Sequence, residues 1–174
     1  GVQFRNLATV GGSIFGRYGF SDALTLLIGL DSYVELYKGG IVPLREFAKG
    51  KPDNDILVRI IIKKHPVEMY YEAVRITQTD LPVLTCCGVH DKENGSYTIS
   101  IGARPGRAVI VPDDKLLLKG KLTTEAIEVY ARYAAEVVPT DSNMRGNREY
   151  RSHLVEVLSR RALEYLCEEE SEAC

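Results

Sequence analysis

The sequence predicts an α+β protein: a mixed α/β segment to about Lys64, followed by a three- to four-stranded antiparallel sheet covered by helices. Short helical and strand-like patterns alternate before residue 65, and three strand-like runs follow one another closely after it. Two long amphipathic helical patterns then close the chain. We therefore expect two domains, residues 1–65 and residues 66–174.

The first segment predicts short elements joined by turns. Asp31–Tyr37 alternates in hydrophobicity as a half-buried strand does, and Ser21 or Asp22 can cap the helix before it. The β-branched run Ile56–Lys63 predicts a well-buried strand. The remaining elements are an extended lead-in at Phe4–Leu7, a turn at Gly11-Gly12, a turn at Lys38–Gly40, a returning strand at Ile41-Val42, a helical turn at Leu44–Ala48 after Pro43 and a polar loop at Lys49–Asp55.

The second segment predicts an antiparallel meander and two helices. Its strands are Val67–Thr77, Pro82–His90 and Ser96–Ala103, with a possible fourth at Arg107–Val111. Asp91–Gly95 is a hairpin loop by composition. Thr123 or Thr124 caps the first helix, which Pro139 ends, and the second helix runs from about Asn147 to Leu166.

Composition limits the classes of function. The net charge is −2 at 174 residues, with no basic stripe among aromatic side chains, which argues against nucleic acid. The apolar run Ala23–Leu30 is too short to cross a bilayer, so no membrane partner is expected. Cys86 and Cys87 would face opposite sides of a strand, and the histidines lack ligand spacing, so no metal site is predicted. These features, with no signal-peptide pattern, favour a cytoplasmic protein.

The glycines near the start indicate a ligand site. Gly11 and Gly12 follow Thr9 and precede Ser13, so bare backbone amides and hydroxyl groups occur together. Such a stretch can form an anion-binding site for a phosphate or pyrophosphate. The alternative is an ordinary surface turn between two elements.

Other polar groups leave alternatives open. Arg75 with Asp80 could contribute to a ligand site, or form a solvated ion pair. Arg145, Arg148 and Arg151 could receive a partner's carboxylates, or form an ordinary charge cluster at a helix start. No serine or cysteine has a histidine at a suggestive spacing, so no catalytic residue is predicted.

The first segment has too few elements to bury both faces of a sheet. We therefore expect that its native domain includes more chain, before Gly1 or on another polypeptide.

Motifs along nearly the whole chain, in order, resemble the FAD-binding subunits of the molybdenum hydroxylases, which include xanthine and carbon monoxide dehydrogenases. The quoted motifs are Arg5-Asn6, Ala8-Thr9, Gly11-Gly12, Ser21-Asp22, Asp80–Val83, Ile101-Gly102, Pro139–Ser142, Arg145-Gly146, Tyr150-Arg151 and Arg161–Leu163. The resemblance implies a partial FAD-binding α/β subdomain in the first segment. It also implies that Ser13 and Glu72 replace the asparagine and lysine usual in the family, and that another glycine-rich phosphate loop is absent.

The resemblance further implies FAD as the cofactor, with the site residues carried over from the motifs. Thr9, Gly11, Gly12 and Ser13 would meet the pyrophosphate, Ser21 and Asp22 would lie near the flavin and its ribityl chain, and the backbone of Ile56 and Leu57 would border the isoalloxazine.

By this resemblance, the protein is the electron-transfer component of an oxidoreductase complex, inactive alone. Its partners would be molybdopterin-binding and iron–sulfur subunits, and NAD is a possible acceptor. Two alternatives stay open: an interaction module that binds no flavin, and a nucleotide-binding protein of unrelated fold, although no Walker lysine follows the glycines.

Overall fold

The computed structural model describes residues 5–51, 54–120 and 122–172, with side chains described as far as Glu168. Helices and antiparallel strands alternate, so the α+β class is confirmed. The helices are α1 Val10–Phe15, α2 Asp22–Gly29, α3 Leu44–Lys49, α4 Thr124–Val137 and α5 Arg148–Glu172. The strands are β1 Ser32–Leu36, β2 Gly40–Pro43, β3 Leu57–Ile62, β4 Val67–Val74, β5 Leu84–Asp91, β6 Ser96–Gly102 and β7 Val109–Ile110.

A three-stranded antiparallel sheet in the order β2-β1-β3 forms the first part. Val34 lies opposite Val42 on β2 and Ile60 on β3. Gly40 has a φ of +67° at the hairpin turn, which a residue with a Cβ adopts only under strain. The hairpin predicted around Lys38–Gly40 is therefore confirmed.

The predicted turn at Gly11-Gly12 is wrong, because both glycines lie in the first turn of α1. Thr9 caps this helix: its hydroxyl oxygen accepts a hydrogen bond from the Gly12 amide at 3.0 Å. The cap compensates for the poor helix propensity of glycine over so short a helix. The extended lead-in is also wrong where it is described, since Arg5 is helical and Asn6 and Leu7 form a turn, while Phe4 lies outside the described residues.

The strand predicted at Ile56–Lys63 exists as β3, but it is not well buried. Val58 is 53% exposed and Ile62 is 47% exposed. The reason is position: β3 is an edge strand, and α1 and the hydrophobic core contact only part of it. β-branched composition predicted the strand and could not predict what covers it.

A four-stranded antiparallel sheet in the order β4-β5-β6-β7 forms the second part. Cys87 on β5 lies opposite Tyr71 on β4 and Ser100 on β6. The predicted meander is therefore confirmed, including its short fourth strand.

Helices cover both faces of this second sheet. Cys86 packs in one core cluster with side chains of α4 and α5, and Cys87 packs in the other with α1, α2 and the first sheet. The adjacent cysteines therefore face opposite sides of the strand, as the sequence predicted. The second cluster contains residues of both segments; the division at residues 65 and 66 stays a prediction.

Close contacts fix α2 against β5 and β6. The Ser100 hydroxyl donates to the Thr25 carbonyl at 2.7 Å, and the hydroxyls of Thr25 and Thr85 lie 3.0 Å apart. A Cβ on Gly102 would collide with both threonine hydroxyls, so glycine permits this close approach. The start of α2, which carries Asp22, is thereby held over the second sheet.

The last two helices follow the sequence closely. Thr123 caps α4 by accepting from the Ala126 amide at 3.2 Å. α5 begins one residue after the predicted start and extends six residues beyond the predicted end, to Glu172.

Candidate functional site

A cleft of about 650 Å³ opens between the start of α1, the loop from α1 to α2, and the chain that follows β4. Five of the eight residues predicted to bind cofactor line it: Thr9, Gly12, Ser13, Ser21 and Asp22. The fold therefore brings most of the residues predicted to bind cofactor to this cleft.

Hydrogen bonds among Thr9, Ser13 and Ser21 fix the side of the cleft that these residues form. The Ser13 hydroxyl donates to the Thr9 carbonyl at 3.0 Å, and the Ser21 hydroxyl donates to the Ser13 carbonyl at 2.9 Å. Ser21 also caps α2, because its oxygen accepts from the Leu24 amide at 3.1 Å. Ser21 thus joins the two short helices and sets the position of Asp22, the first residue of α2.

The other three predicted residues do not line this cleft. Gly11 faces β3, where an added Cβ would stand 3.4 Å from the Leu57 side chain. Ile56 is 65% exposed, and its carbonyl accepts from the Tyr37 amide at 2.9 Å. These residues form a surface beside the cleft, and their contact with flavin stays a prediction.

Asp22 is held by two groups from β4 and its end. Tyr71 donates its hydroxyl hydrogen to Asp22 Oδ1 at 2.7 Å, and Arg75 donates from Nη2 to Asp22 Oδ2 at 2.7 Å. Burial, and then the hydrogen bond to Asp22, raise the pKa of Tyr71 above its usual range. Tyr71 therefore stays protonated and donates to the carboxylate across the physiological pH range.

The ion pair considered between Arg75 and Asp80 does not form. Arg75 pairs instead with the Asp22 carboxylate. Its contact with Asp80 is a hydrogen bond to the backbone carbonyl, at 2.8 Å. The Asp80 carboxylate pairs with Arg145 at 3.0 Å. The hydrogen bond from Arg145 lowers the pKa of Asp80, so Asp80 stays ionised beside the cleft. The partners in these two ion pairs are 53 and 65 positions apart, so a single sequence could not have predicted the pairing.

Glu72 lies on the opposite face of β4 from Tyr71. It accepts from Arg161 of α5 at 3.0 Å and from the Tyr70 hydroxyl. Alternation along the strand directs Glu72 towards α5, and it does not line the cleft.

The arginine cluster is not a plain surface charge group. Arg151 is fully buried and donates hydrogen bonds to the carbonyls of Val83, Asp141 and Gly146 and to the side chain of Asn143. Its role is structural. Its sequence position, in the first turn of an amphipathic helix, did not predict that the side chain would be buried.

Two aromatic residues of the cleft were missed by the sequence reasoning. The rings of Tyr18 and Phe20 are stacked, with centroids 5.2 Å apart and planes within 5°. Both lie in the glycine-rich stretch, but their stacking and their place in the cleft are apparent only from the fold.

Two other kinds of feature are absent from the described part of the chain. Its histidines, cysteines and acidic residues form no group of three or more that could hold a metal ion. None of its helices is both long and apolar enough to span a membrane.

Two family models match the chain. The model of the CO dehydrogenase flavoprotein C-terminal domain matches residues 69–166, which is more than half of the chain. The model of the FAD binding domain in molybdopterin dehydrogenase matches residues 1–64.

A relative and two solved structures are similar over almost the whole chain. The putative xanthine dehydrogenase FAD-binding subunit XdhB of Escherichia coli K12 is 22% identical over 179 residues, covering 94% of this chain and 61% of that protein. Carbon monoxide dehydrogenase from Hydrogenophaga pseudoflava has a TM-score of 0.81 at 24% identity, covering 93% of this chain and 61% of the other. Quinoline 2-oxidoreductase from Pseudomonas putida 86 has a TM-score of 0.81 at 20% identity, covering 95% and 62%.

At these identities, the structural likeness shows the fold alone. The chain spans less than two thirds of the length of each of these relatives. The family itself follows from the family models, which match both segments in the expected order. The chain belongs to the FAD-binding subunits of the molybdenum hydroxylases, and FAD is the cofactor that this membership supports.

Proposed function

We propose that this chain binds FAD in the cleft beside α1 and serves as the electron-transfer component of a molybdenum hydroxylase complex. The observation that carries the proposal is the convergence of Thr9, Gly12, Ser13, Ser21 and Asp22 on one cleft. In this proposal, electrons from iron–sulfur clusters of a partner subunit pass through the flavin to NAD or another acceptor. A molybdopterin-binding subunit would oxidise the substrate.

The cleft fits such a cofactor in size and in chemistry. Its volume of about 650 Å³ lies within the range of ligand sites, about 300–1,000 Å³. Gly12 has no side chain, and a Cβ there would stand only 3.0 Å from the Thr9 hydroxyl. Glycine therefore leaves the Thr9 hydroxyl uncrowded, and that hydroxyl can donate to a phosphate oxygen.

The residues of the chain would bind and orient the cofactor. Thr9 would donate its hydroxyl hydrogen to the pyrophosphate beside Ser13, whose own hydroxyl donates to the Thr9 carbonyl, and Ser21 would hold Ser13 against the start of α2. Asp22, fixed by Tyr71 and Arg75, would accept a hydrogen bond from a hydroxyl group of the ribityl chain. FAD supplies the redox chemistry when bound, while the protein positions and tunes it.

A visible absorption spectrum tests this proposal. The purified chain is mixed with excess FAD and desalted, and retained flavin bands are expected. Gly12→Asp places a carboxylate where the pyrophosphate is expected, and should abolish retention. Thr124→Asp adds the same charge at an exposed position of α4 and should retain flavin as the wild type does. A wild-type protein that stays colourless would refute autonomous flavin binding.

A second candidate function is an interaction module that binds no flavin. The observation that favours it is a set of exposed apolar side chains on the two edge strands of the first sheet and just before β3: Ile41, Ile56, Val58 and Ile62. Exposed apolar side chains on one sheet can mark a protein interface. The same desalting experiment separates the candidates, since only the first predicts retained flavin.

A further inference from the structure

We propose that Tyr18 and Phe20 form an aromatic subsite that stacks against a planar heteroaromatic ring of the dinucleotide in the cleft. This inference rests on the proposed function and deepens it. Both side chains line the cleft that contains Thr9, Gly12 and Asp22.

The two rings are stacked and remain accessible. Their planes lie within 5° of each other, with centroids 5.2 Å apart. Tyr18 is 55% exposed and Phe20 is 45% exposed. Large aromatic side chains that stay exposed forfeit the stabilisation of burial, and a flat ligand would recover it. Stacking on aromatic side chains is a common way to hold nucleotide bases.

The loop that carries the rings is fixed at its start by Arg17. Arg17 has a φ of 49°, a left-handed conformation that is strained for a residue with a side chain. Its side chain is buried: Nε donates to the Phe47 carbonyl at 2.9 Å, and the guanidinium carbon lies 3.6 Å from the centroid of the Phe47 ring. These contacts hold the strained backbone in place.

The centre of the loop is fixed through its glycines. The Gly19 carbonyl accepts from the Ala103 amide at 2.7 Å, and a Cβ on Gly19 would meet the Gly106 carbonyl oxygen at 2.7 Å. A Cβ on Gly16 would collide with the Tyr18 ring, so that ring packs directly over backbone. The aromatic pair therefore does not rest on a loose loop, and it loses little entropy when a ligand binds.

The rest of the cleft suits a ring of mixed polarity. Leu81 and Ala23 contribute apolar surface, while Asp22 offers carboxylate oxygens and Arg75 offers N–H groups. Adenine and isoalloxazine both present donors and acceptors around a flat apolar face. The shared chemistry is a planar nitrogen heterocycle, and separate probes can distinguish the two rings.

The test measures affinities for three probes by calorimetric titration: riboflavin, ADP and inorganic pyrophosphate. The variant Tyr18→Leu/Phe20→Leu keeps apolar side chains and removes both rings. We expect it to lose affinity about tenfold or more for riboflavin or for ADP, within the range of base–aromatic stacking. The ligand that loses affinity identifies the ring that is stacked. Pyrophosphate, which has no ring, should bind unchanged.

Two control variants accompany it. Tyr18→Phe/Phe20→Tyr keeps both rings and should bind all three probes as the wild type does. Tyr37→Leu removes an exposed tyrosine outside the cleft and should change nothing. All variants are first compared with the wild type by circular dichroism.

Each other outcome overturns something definite. Unchanged affinity for both riboflavin and ADP in the double leucine variant would overturn the stacking inference and leave the proposed function intact. An equal loss for all three probes would also overturn it, because the effect would not depend on a ring. If the wild type binds none of the three probes and retains no FAD, the proposed function fails, and the inference fails with it.

Discussion

Replacing Arg151 with methionine should destabilise the fold severely, because this arginine joins the chain just before β5 to the loop between α4 and α5. It is fully buried, and its guanidinium donates to the carbonyls of Val83, Asp141 and Gly146 and to the Asn143 side chain. Burial lowers its pKa from the usual value, but leaves it charged at neutral pH. Methionine fills similar volume and removes every donor.

The magnitude follows from the acceptors that are left behind. Asp141 and Asn143 are exposed residues, so their oxygens can regain hydrogen bonds to water. The carbonyls of Val83 and Gly146 lie in buried or half-buried residues and lose a charged donor. At about 1.5–3 kcal/mol for each of these two hydrogen bonds to a charged group, the free energy of unfolding should fall by about 3–6 kcal/mol.

Urea denaturation followed by circular dichroism measures this change. Arg132→Met removes an exposed arginine that pairs with Glu128 on α4 and should cost less than about 1 kcal/mol. Arg151→Lys keeps the charge with fewer directed donors and should fall between the two. A loss below 1 kcal/mol for Arg151→Met, equal to that of the control, would refute the view that Arg151 organises this region.

Two further predictions concern the second sheet. Gly102→Ala should lower the free energy of unfolding by about 2 kcal/mol or more in the same urea assay. The reason is that the added methyl collides with the hydroxyls of Thr25 and Thr85. An unchanged free energy of unfolding would show that α2 does not approach the sheet closely. Cys86 and Cys87 should resist a thiol-reactive dye at pH 8 in the native protein and react after unfolding, since burial raises the pKa of Cys87 to about 12 and that of Cys86 well above its usual value. Because the folded-state pKa of Cys87 exceeds its usual 9.0, its contribution to stability is complete below pH 9 and is lost as pH rises towards 12. Cys87→Ala should flatten this pH dependence in urea titrations, and an identical pH profile in variant and wild type would contradict the assignment.

The sequence predicted what depends on local pattern. Thr123 caps α4 and Ser21 caps α2 because a hydroxyl residue before an apolar run satisfies the first free amides of a helix. The opposite burial of Cys86 and Cys87 follows from the period of a strand. These features are fixed by neighbours within a few positions.

The features that were missed depend on distant groups. The exposure of Val58 depends on what packs against β3, and the partners of Asp22 lie on a strand far along the chain. The glycine pair was expected in a turn, yet both glycines lie in a helix that Thr9 caps, and Gly11 packs on Leu57. Propensity alone favours the turn, and tertiary contact decides otherwise.

The candidate site was predicted in its outline through the family resemblance. Five of the eight residues converge on the cleft, while Gly11, Ile56 and Leu57 lie beside it. The groups that orient Asp22, and the aromatic pair at Tyr18 and Phe20, could be found only from the fold.

Retention of FAD by the wild type and by Gly12→Asp tests the central claim most directly. After incubation with excess FAD and desalting, we expect flavin absorption in the wild-type protein and in Thr124→Asp, and none in Gly12→Asp. Flavin retained equally by Gly12→Asp would show that the cleft beside α1 does not hold the pyrophosphate. A colourless wild type would contradict flavin binding by this chain.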